Sequence, residues 1–328
     1  MSSSQSNYPS VVKLDPKAGR VTLVSSFEKN PSLALHAAVI SARTGAPLSE
    51  EVKEAAEAVS SRYTDIPKEA IWEQWDYLIR SPQPSAGLQA IYEMGWEKNF
   101  PELAAIRGVP QAPSWHPEGP VEIHTAQAAD VAARNAARDN LSDDETRVAV
   151  MGAICHDLGK SNATFIENGR VVSPTHPQTG TPLAKSFLKS IGASEAVQRE
   201  VPLIVLNHMC HATTVSSRAV RRLIARLDNN GNGTTLEAWS RVTEADVGGR
   251  GSASSSGVSK PWLEYKHKMD NVKAATPKII DGRMLMGLNV EDRRSYGQII
   301  KDAYTAQLEG TISDEESAQK WLSKNNYI

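Results

Sequence analysis

Four stretches of this sequence put a histidine or an aspartate where an apolar helix face should continue. In "VEIHTAQAADVAAR", His124 shares the i, i+4, i+7 stripe with Ala128 and Val131. In "SEAVQREVPLIVLNH", His208 continues Val197, Val201 and Ile204, with Pro202 a place where that helix could kink or split. In "LEAWSRVTEADVGGR", Asp246 continues Trp239 and Val242 before Gly248-Gly249 ends the helix. His156 and Asp157 close a fourth apolar helix in "VAVMGAICHDLGK", which Gly159 should stop. Taken singly, a buried histidine is more often a hydrogen-bonded core residue than a ligand. Asp246 alone could cap the loop after it, and Asp157 alone could end its helix. Four such residues on four stripes point instead to one shared site.

A buried carboxylate left unpaired is costly, so an inward aspartate implies a cation beside it. Imidazole nitrogen with carboxylate oxygen suits a first-row divalent ion. Adjacent His156 and Asp157 lie about 100° apart on a helix, which lets them grip one ion from two sides. The set His124, His156, Asp157 and Asp246 would leave positions open for water or a phosphate oxygen. Cys155 and Cys210 flank two of the candidates but should point elsewhere, as small core residues.

The elements that must position these residues are helical. Ser142-Asp143-Asp144-Glu145 reads as a capping box before an apolar run, and Ser313-Asp314-Glu315-Glu316 as another near the C-terminus. "FIENGRVV" carries Asn168-Gly169 between apolar pieces and predicts one minor β-hairpin near 165–172. "GGRGSASSSGVSK" (248–260) reads as a flexible loop, and "MSSSQSNYPS" begins a disordered tail over 1–19. The fold class is therefore all-α with that single hairpin. The 328 residues carry 36 basic and 38 acidic side chains, so no global field favours nucleic acid or a membrane. No apolar run reaches about 18 residues, which excludes a membrane span. Two cysteines build no disulfide framework and suit the cytoplasm. One local patch stands out. "SSRAVRRLIAR" puts Arg218, Arg221, Arg222 and Arg226 on a helix whose other face is Val220, Leu223, Ile224 and Leu227. That is either an ordinary solvated face or a grip on a phosphate backbone.

With these residues in view, His124, His156-Asp157 and Asp246 resemble the signature of HD-domain metal-dependent phosphohydrolases. "FPELAAIRGVPQAPSWHPEGPVEIHT", "ICHDLGK", "THPQTGTPLAKSFLKSIGA", "VLNHMCH" and "TEADVGGR" resemble the HD-bearing half of bacterial CCA-adding tRNA nucleotidyltransferases. The likeness extends upstream through "SPQPSAGLQAIYEMGWEKNFPEL" and downstream through "GQIIKDAYTAQLEGTISDEESAQKWL". The departures are as informative. That family places a nucleotidyltransferase head before its neck, and fewer than thirty residues precede the neck-like part here. Its neck reads incoming bases with charged residues. Here "KNPSLALHAAV" has Lys29 and Asn30 for the acidic pair and Leu33, His36 and Val39 for arginines.

The resemblance implies a disordered tail (1–19), a helical neck and body (20–113), an HD phosphohydrolase domain (114–250), and a loop with a helical tail (251–328). It implies a metal-dependent phosphohydrolase without CCA addition, acting on a 2′,3′-cyclic phosphate or phosphomonoester of a nucleotide or RNA 3′-end, tRNA included. Hydrolysis of nucleotides or cyclic (oligo)nucleotides is the alternative, and a non-catalytic tRNA-binding remnant the third reading. One or two divalent ions (Mg, Mn, Co or Ni) are expected. Asp157 would ligate and also orient a water, and Lys160, one turn on, would neutralise a phosphate or simply sit solvated at a helix end. His176 and His208 match further family histidines, which hold a second metal or face the substrate. His116 and His211 read as surface or loop residues. Arg218, Arg221 and Arg222 are the phosphate- or RNA-binding candidates.

Overall fold

A computed structural model describes residues 11–251, 257–268, 277–288, 290, 295–308 and 310–328. The fold is mostly α, as the periodicity predicts. The helices are α1 (Ser32–Thr44), α2 (Glu50–Val59), α3 (Lys68–Ile79), α4 (Pro84–Glu93), α5 (Pro101–Ala105), α6 (Val121–Arg138), α7 (Asp143–Cys155) and α8 (Lys160–Ala163). There follow α9 (His176–Ser190), α10 (Glu195–Asn207), α11 (Ser217–Asp228), α12 (Leu236–Gly248), α13 (Lys260–Lys268), α14 (Gly282–Gly287), α15 (Tyr296–Leu308) and α16 (Glu315–Lys324). Two antiparallel hairpins join β1 (Val12–Asp15) to β2 (Arg20–Leu23) and β3 (Phe165–Glu167) to β4 (Arg170–Val172).

The second hairpin is the one expected, turning through Asn168 at φ 50° and Gly169 at φ 74°. The first corrects the expected tail. Of its 19 residues, 1–10 lie outside the described residues, while Val11 and Val12 are buried and β1 begins at Val12. A pair of valines gives that strand an apolar anchor, which a reading by polar composition passes over. The capping box at Ser142 is present, with Glu145 reaching back to the Ser142 amide at 3.0 Å. The C-terminal box is shifted by one residue: Asp314 is the cap and Ser317 its reciprocal partner. Helix α10 runs through Pro202 without a break. Of the expected flexible loop, 252–256 lie outside the described residues. Its end is held, since Glu244 accepts from the amides of Gly257 at 2.7 Å and Ser259 at 2.8 Å.

Two compact units partition the chain, Met1–Cys210 with Glu237–Ser259 and His211–Leu236 with Lys260–Ile328. The division expected at 113/114 falls inside the first unit. The reason is a shared core: the rings of Trp75 and Phe100 meet edge-to-face 5.3 Å apart, and Trp75 meets Phe187 of α9 at 5.4 Å. Ser85 also binds Asp130 of α6 through both its amide and its hydroxyl, at 2.9 and 2.7 Å. Residues 211–236, expected in the HD domain, belong to the second unit. That unit has its own core, in which Leu285, Ile299, Ala303, Ala318 and Leu322 are buried together.

In the first unit, glycines set the helix spacing on which the site depends. A Cβ on Gly249 would lie 2.9 Å from the Ala128 amide nitrogen, so the end of α12 rides directly on α6. That contact carries Asp246 to His124. Gly159 is not the helix stop that the sequence predicts. Its φ of −67° is ordinary and α8 follows at once. Its role is close approach: a Cβ there would sit 2.0 Å from the His176 carbonyl oxygen.

Candidate metal centre

Each inward stripe delivers its polar residue to one place. His124 comes from α6, His156 and Asp157 from the end of α7, His176 from the start of α9, His208 from the end of α10 and Asp246 from α12. His124 and His156 are fully buried, and Asp157, His208 and Asp246 nearly so. The rings are fixed from behind by a repeated device. The Nδ1 of His156 donates to the Ala153 carbonyl at 2.7 Å, that of His208 to Val205 at 2.7 Å, and that of His176 to Ser173 at 2.6 Å. Each acceptor lies three residues back in the chain. A carbonyl can only accept, so Nδ1 carries the proton and Nε2 keeps its lone pair. The last carbonyls of α7 and α10 have no partner within their helices, which is why a histidine at the cap finds an acceptor there.

The ring Nε2 atoms converge. His124 Nε2 lies 3.2 Å from His156 Nε2 and 3.2 Å from Asp246 Oδ1. Asp157 Oδ2 stands 3.2 Å from His156 Nε2 and 3.7 Å from His124 Nε2. The other oxygen, Oδ1, faces His176 Nε2 at 3.4 Å and His208 Nε2 at 3.9 Å, and these two nitrogens are 2.9 Å apart. Two donor triads result, His124–His156–Asp246 and Asp157–His176–His208, with donor atoms within 4.8 Å of one another in each. Unprotonated nitrogens facing at 2.9 Å repel unless a cation or proton lies between them. The donor set therefore fits divalent ions, with Asp157 offering one oxygen toward each triad.

The electrostatics agree. Burial raises the cost of ionising Asp157, but the neighbouring His156 ring and the Lys160 ammonium hold its carboxyl well below the usual range. Asp246 is held down likewise, against burial, by the hydrogen bond from His124 and by His156. Burial first, then His156 and His176, push His208 down to about 3. Burial also lowers His124, yet its hydrogen bonds to Asp246 and Glu118 carry it up to about 9. Ion uptake at His124 would thus displace a proton.

Lys160 corrects the picture of a solvated helix end. It is buried, with Nζ 2.6 Å from Asp157 Oδ2 and donating to Gln111 Oε1 at 2.7 Å. His116, expected on the surface, is half-buried, and its ring meets that of His124 with centroids 4.6 Å apart. His211 is partly buried in a short 3-10 turn and belongs to the second unit. Arg218, Arg221 and Arg222 lie on α11 in the second unit. Cys155 is fully buried and Cys210 partly so, and neither forms a disulfide.

Three contributors escaped the sequence reading. Glu118 Oε1 lies 2.8 Å from His124 Nδ1 and 2.8 Å from His116 Nδ1. Burial would raise its pKa, but hydrogen bonds from the two histidines hold it at about 2. Gln111 anchors Lys160, and Arg250 Nη2 donates to Asp246 Oδ1 at 3.0 Å. Gln111 and Glu118 sit in a Pro- and Gly-rich loop, and a loop has no periodicity to mark a buried face. With an ion bound, Glu118 would complete a carboxylate–histidine–ion relay, so Glu118→Ala should weaken ion binding about 10- to 100-fold. Glu118→Gln, which keeps an acceptor without the charge, should lose less; chelator competition measures both.

A mostly helical scaffold with a buried His/Asp cluster able to bind metal defines the class. The relatives narrow it. The chain is 27% identical over 252 residues to the multifunctional CCA protein of Xanthomonas campestris pv. campestris, a match covering 74% of this chain and 59% of that protein. It is 29% identical over 260 residues to the multifunctional CCA protein of Methylococcus capsulatus, covering 72% and 57%. A solved CCA-adding enzyme with CTP aligns over 94% of this chain and 63% of that one, with a TM-score of 0.45 and 12% identity. No family model matches. The chain is thus homologous to multifunctional CCA proteins over most of its length, and spans a little over half of theirs. The expectation of a metal-dependent phosphohydrolase is corrected here. The curated relatives are named for CCA and not for hydrolysis, and imidazole and carboxylate ligands select a metal rather than a reaction. Among the described residues no helix is long and apolar enough to cross a membrane.

Proposed function

We propose that this protein handles tRNA or nucleotides, and that its His/Asp centre binds divalent ions and through them a phosphate group of a nucleotide or RNA 3′-end. His124, His156, Asp157 and Asp246 would hold one ion. His176 and His208, with the second oxygen of Asp157, would hold another or face the ligand. The observation that carries this reading is the convergence of four histidine Nε2 atoms, with Nδ1 of His156, His176 and His208 bonded to carbonyls behind them and Nδ1 of His124 2.8 Å from Glu118 Oε1. A bound ion would supply positive charge to a phosphate oxygen. Lys160 is already oriented by Asp157 and Gln111, and adds a second cation beside that position. The resemblance of its sequence motifs to CCA-adding tRNA nucleotidyltransferases supports tRNA as the larger ligand. The neck supports a role other than base reading: Leu33 and Val39 lie in the core, and His36 Nδ1 meets Gln74 Oε1 at 3.0 Å.

The test begins with metal analysis of purified, dialysed protein, where at least one equivalent of divalent ion per chain is expected. Binding of CMP and of a tRNA 3′-end oligonucleotide should then be lost on chelation and restored by added ion. Protein that takes up no ion, or binds equally well without it, would sink the reading. Incorporation of labelled CTP and ATP into tRNA lacking its end separates binding from the activity for which the relatives are named.

The arginine face has a structural setting in the second unit. Its apolar partners Val220, Leu223 and Leu227 are fully buried. Arg222 and Arg226 line a groove of about 500 Å³ together with Lys278, Lys301 and Tyr304. Four cations along one groove support contact with an RNA backbone. Arg222→Gln with Arg226→Gln should weaken tRNA binding and flatten its dependence on log salt by about two. An unchanged salt slope would leave these residues as a solvated face.

A further inference from the structure

We propose that Trp115 stacks on the base of the nucleotide whose phosphate occupies the His/Asp centre. This inference rests on the phosphate-binding reading above and adds the chemical class of the ligand. Trp115 is 69% exposed, whereas Trp75, Trp96, Trp239 and Trp262 are buried in cores. An indole left in water forfeits the burial that usually holds tryptophan in place.

The loop bearing it is tied to the centre at both ends. Gln111 accepts from Lys160 through Oε1 and donates to the Gly119 carbonyl through Nε2 at 3.0 Å, which closes the loop on itself. At the far end Glu118 meets Nδ1 of His124. Between these anchors the amides of Trp115 and His116 both donate to the Ala112 carbonyl, at 3.0 and 2.9 Å, in a tight turn. His116 packs against His124, so the exposed indole is one residue, about 3.8 Å along the backbone, from a ring touching a candidate ligand.

A flat apolar face presented on an anchored loop beside a phosphate site suits a nucleobase. Stacking needs no hydrogen-bond code, because every base has a π-face. The loop would then hold base and phosphate of one nucleotide together, and would discriminate nucleotides from simple phosphates rather than one base from another.

Calorimetry of the full chain loaded with Mn, using CMP, AMP and inorganic phosphate as probes, tests this. Trp115→Ala should weaken CMP and AMP binding about tenfold, leave phosphate affinity and Mn content unchanged, and melt as the wild type does. Trp115→Phe should restore most of the loss. A Trp115→Ala protein that binds CMP like the wild type overturns the proposal, as does one that loses CMP and phosphate equally. Wild-type protein that binds phosphate as tightly as CMP overturns it alone. Wild-type protein that takes up no Mn and no phosphate overturns the metal reading and this proposal with it.

Discussion

Asp157→Asn is expected to lower the affinity of both donor triads for divalent ions by more than about a hundredfold, beyond the effect typical of an outer partner. The reason is position. One oxygen faces His124 and His156 and the other faces His176 and His208, so a single charge serves both halves. Asparagine keeps the shape and one acceptor but removes that charge. The fold should survive in this variant, because the amide oxygen can still face the Lys160 ammonium, which keeps its hydrogen bond to Gln111. Asp157→Ala should do more harm. It would leave the Lys160 ammonium buried with Gln111 as its remaining hydrogen-bond partner among the described residues, and breaking a buried pair in this way costs about 3–5 kcal/mol. Since the Asp157 carboxyl is held below its unfolded pKa, its contribution is present above about pH 4 and is lost as pH falls toward the depressed value. Chelator competition with Mn reads the first effect, and urea denaturation of metal-free protein the second. An Asp157→Asn protein that keeps both ions at wild-type affinity would refute a shared carboxylate.

The sequence made the inner ring of this site legible because helices announce their buried faces. His124, His208 and Asp246 continue stripes in which Ala128, Val201, Ile204, Trp239 and Val242 are fully buried, while Val131 is only partly so. The layer behind them was not legible for a physical reason. Glu118, Gln111 and His116 occupy a loop whose turns are set by backbone hydrogen bonds, and no repeat distinguishes an inward residue there from an outward one. Lys160 was ambiguous because a lysine at a helix end is usually stabilised by water and the dipole. Its burial against Asp157 and against Gln111, 49 residues earlier, shows that it is inside. The unit boundary was illegible in the same way. Trp75, Phe100 and Phe187 are ordinary core aromatics in sequence, and their shared cluster exists only once α9 lies against α3.

Gly159→Ala should be among the most damaging single-methyl additions in the first unit, and its damage should be selective. The added Cβ would lie 2.0 Å from the His176 carbonyl oxygen, 2.4 Å from the Gly180 amide nitrogen and 2.7 Å from Thr179 Oγ1. Two of these atoms are backbone, so no side-chain rotation relieves the clash and α9 itself must retreat. Retreat strains the Thr179 hydroxyl bond to the Gly159 carbonyl at 3.1 Å and opens the contact where Gly180 lets α9 sit against Val205 of α10. Overpacking followed by loosened contacts at Ala184, Phe187 and Leu188 should cost about 2–5 kcal/mol, read as a lower urea midpoint. His176 lies in the first turn of α9 and would move with it, away from Asp157 Oδ1 and His208. His124, His156 and Asp246 come from α6, the end of α7 and α12, which the methyl does not touch. The variant should therefore keep ion binding at the His124 triad and lose it at the His176 triad, halving the stoichiometry of a two-ion protein. Loss of stability is expected whatever the number of ions. A Gly159→Ala protein with the wild-type urea midpoint and full ion content would show that α9 yields without cost, and that the glycine is not what sets the distance between the two triads.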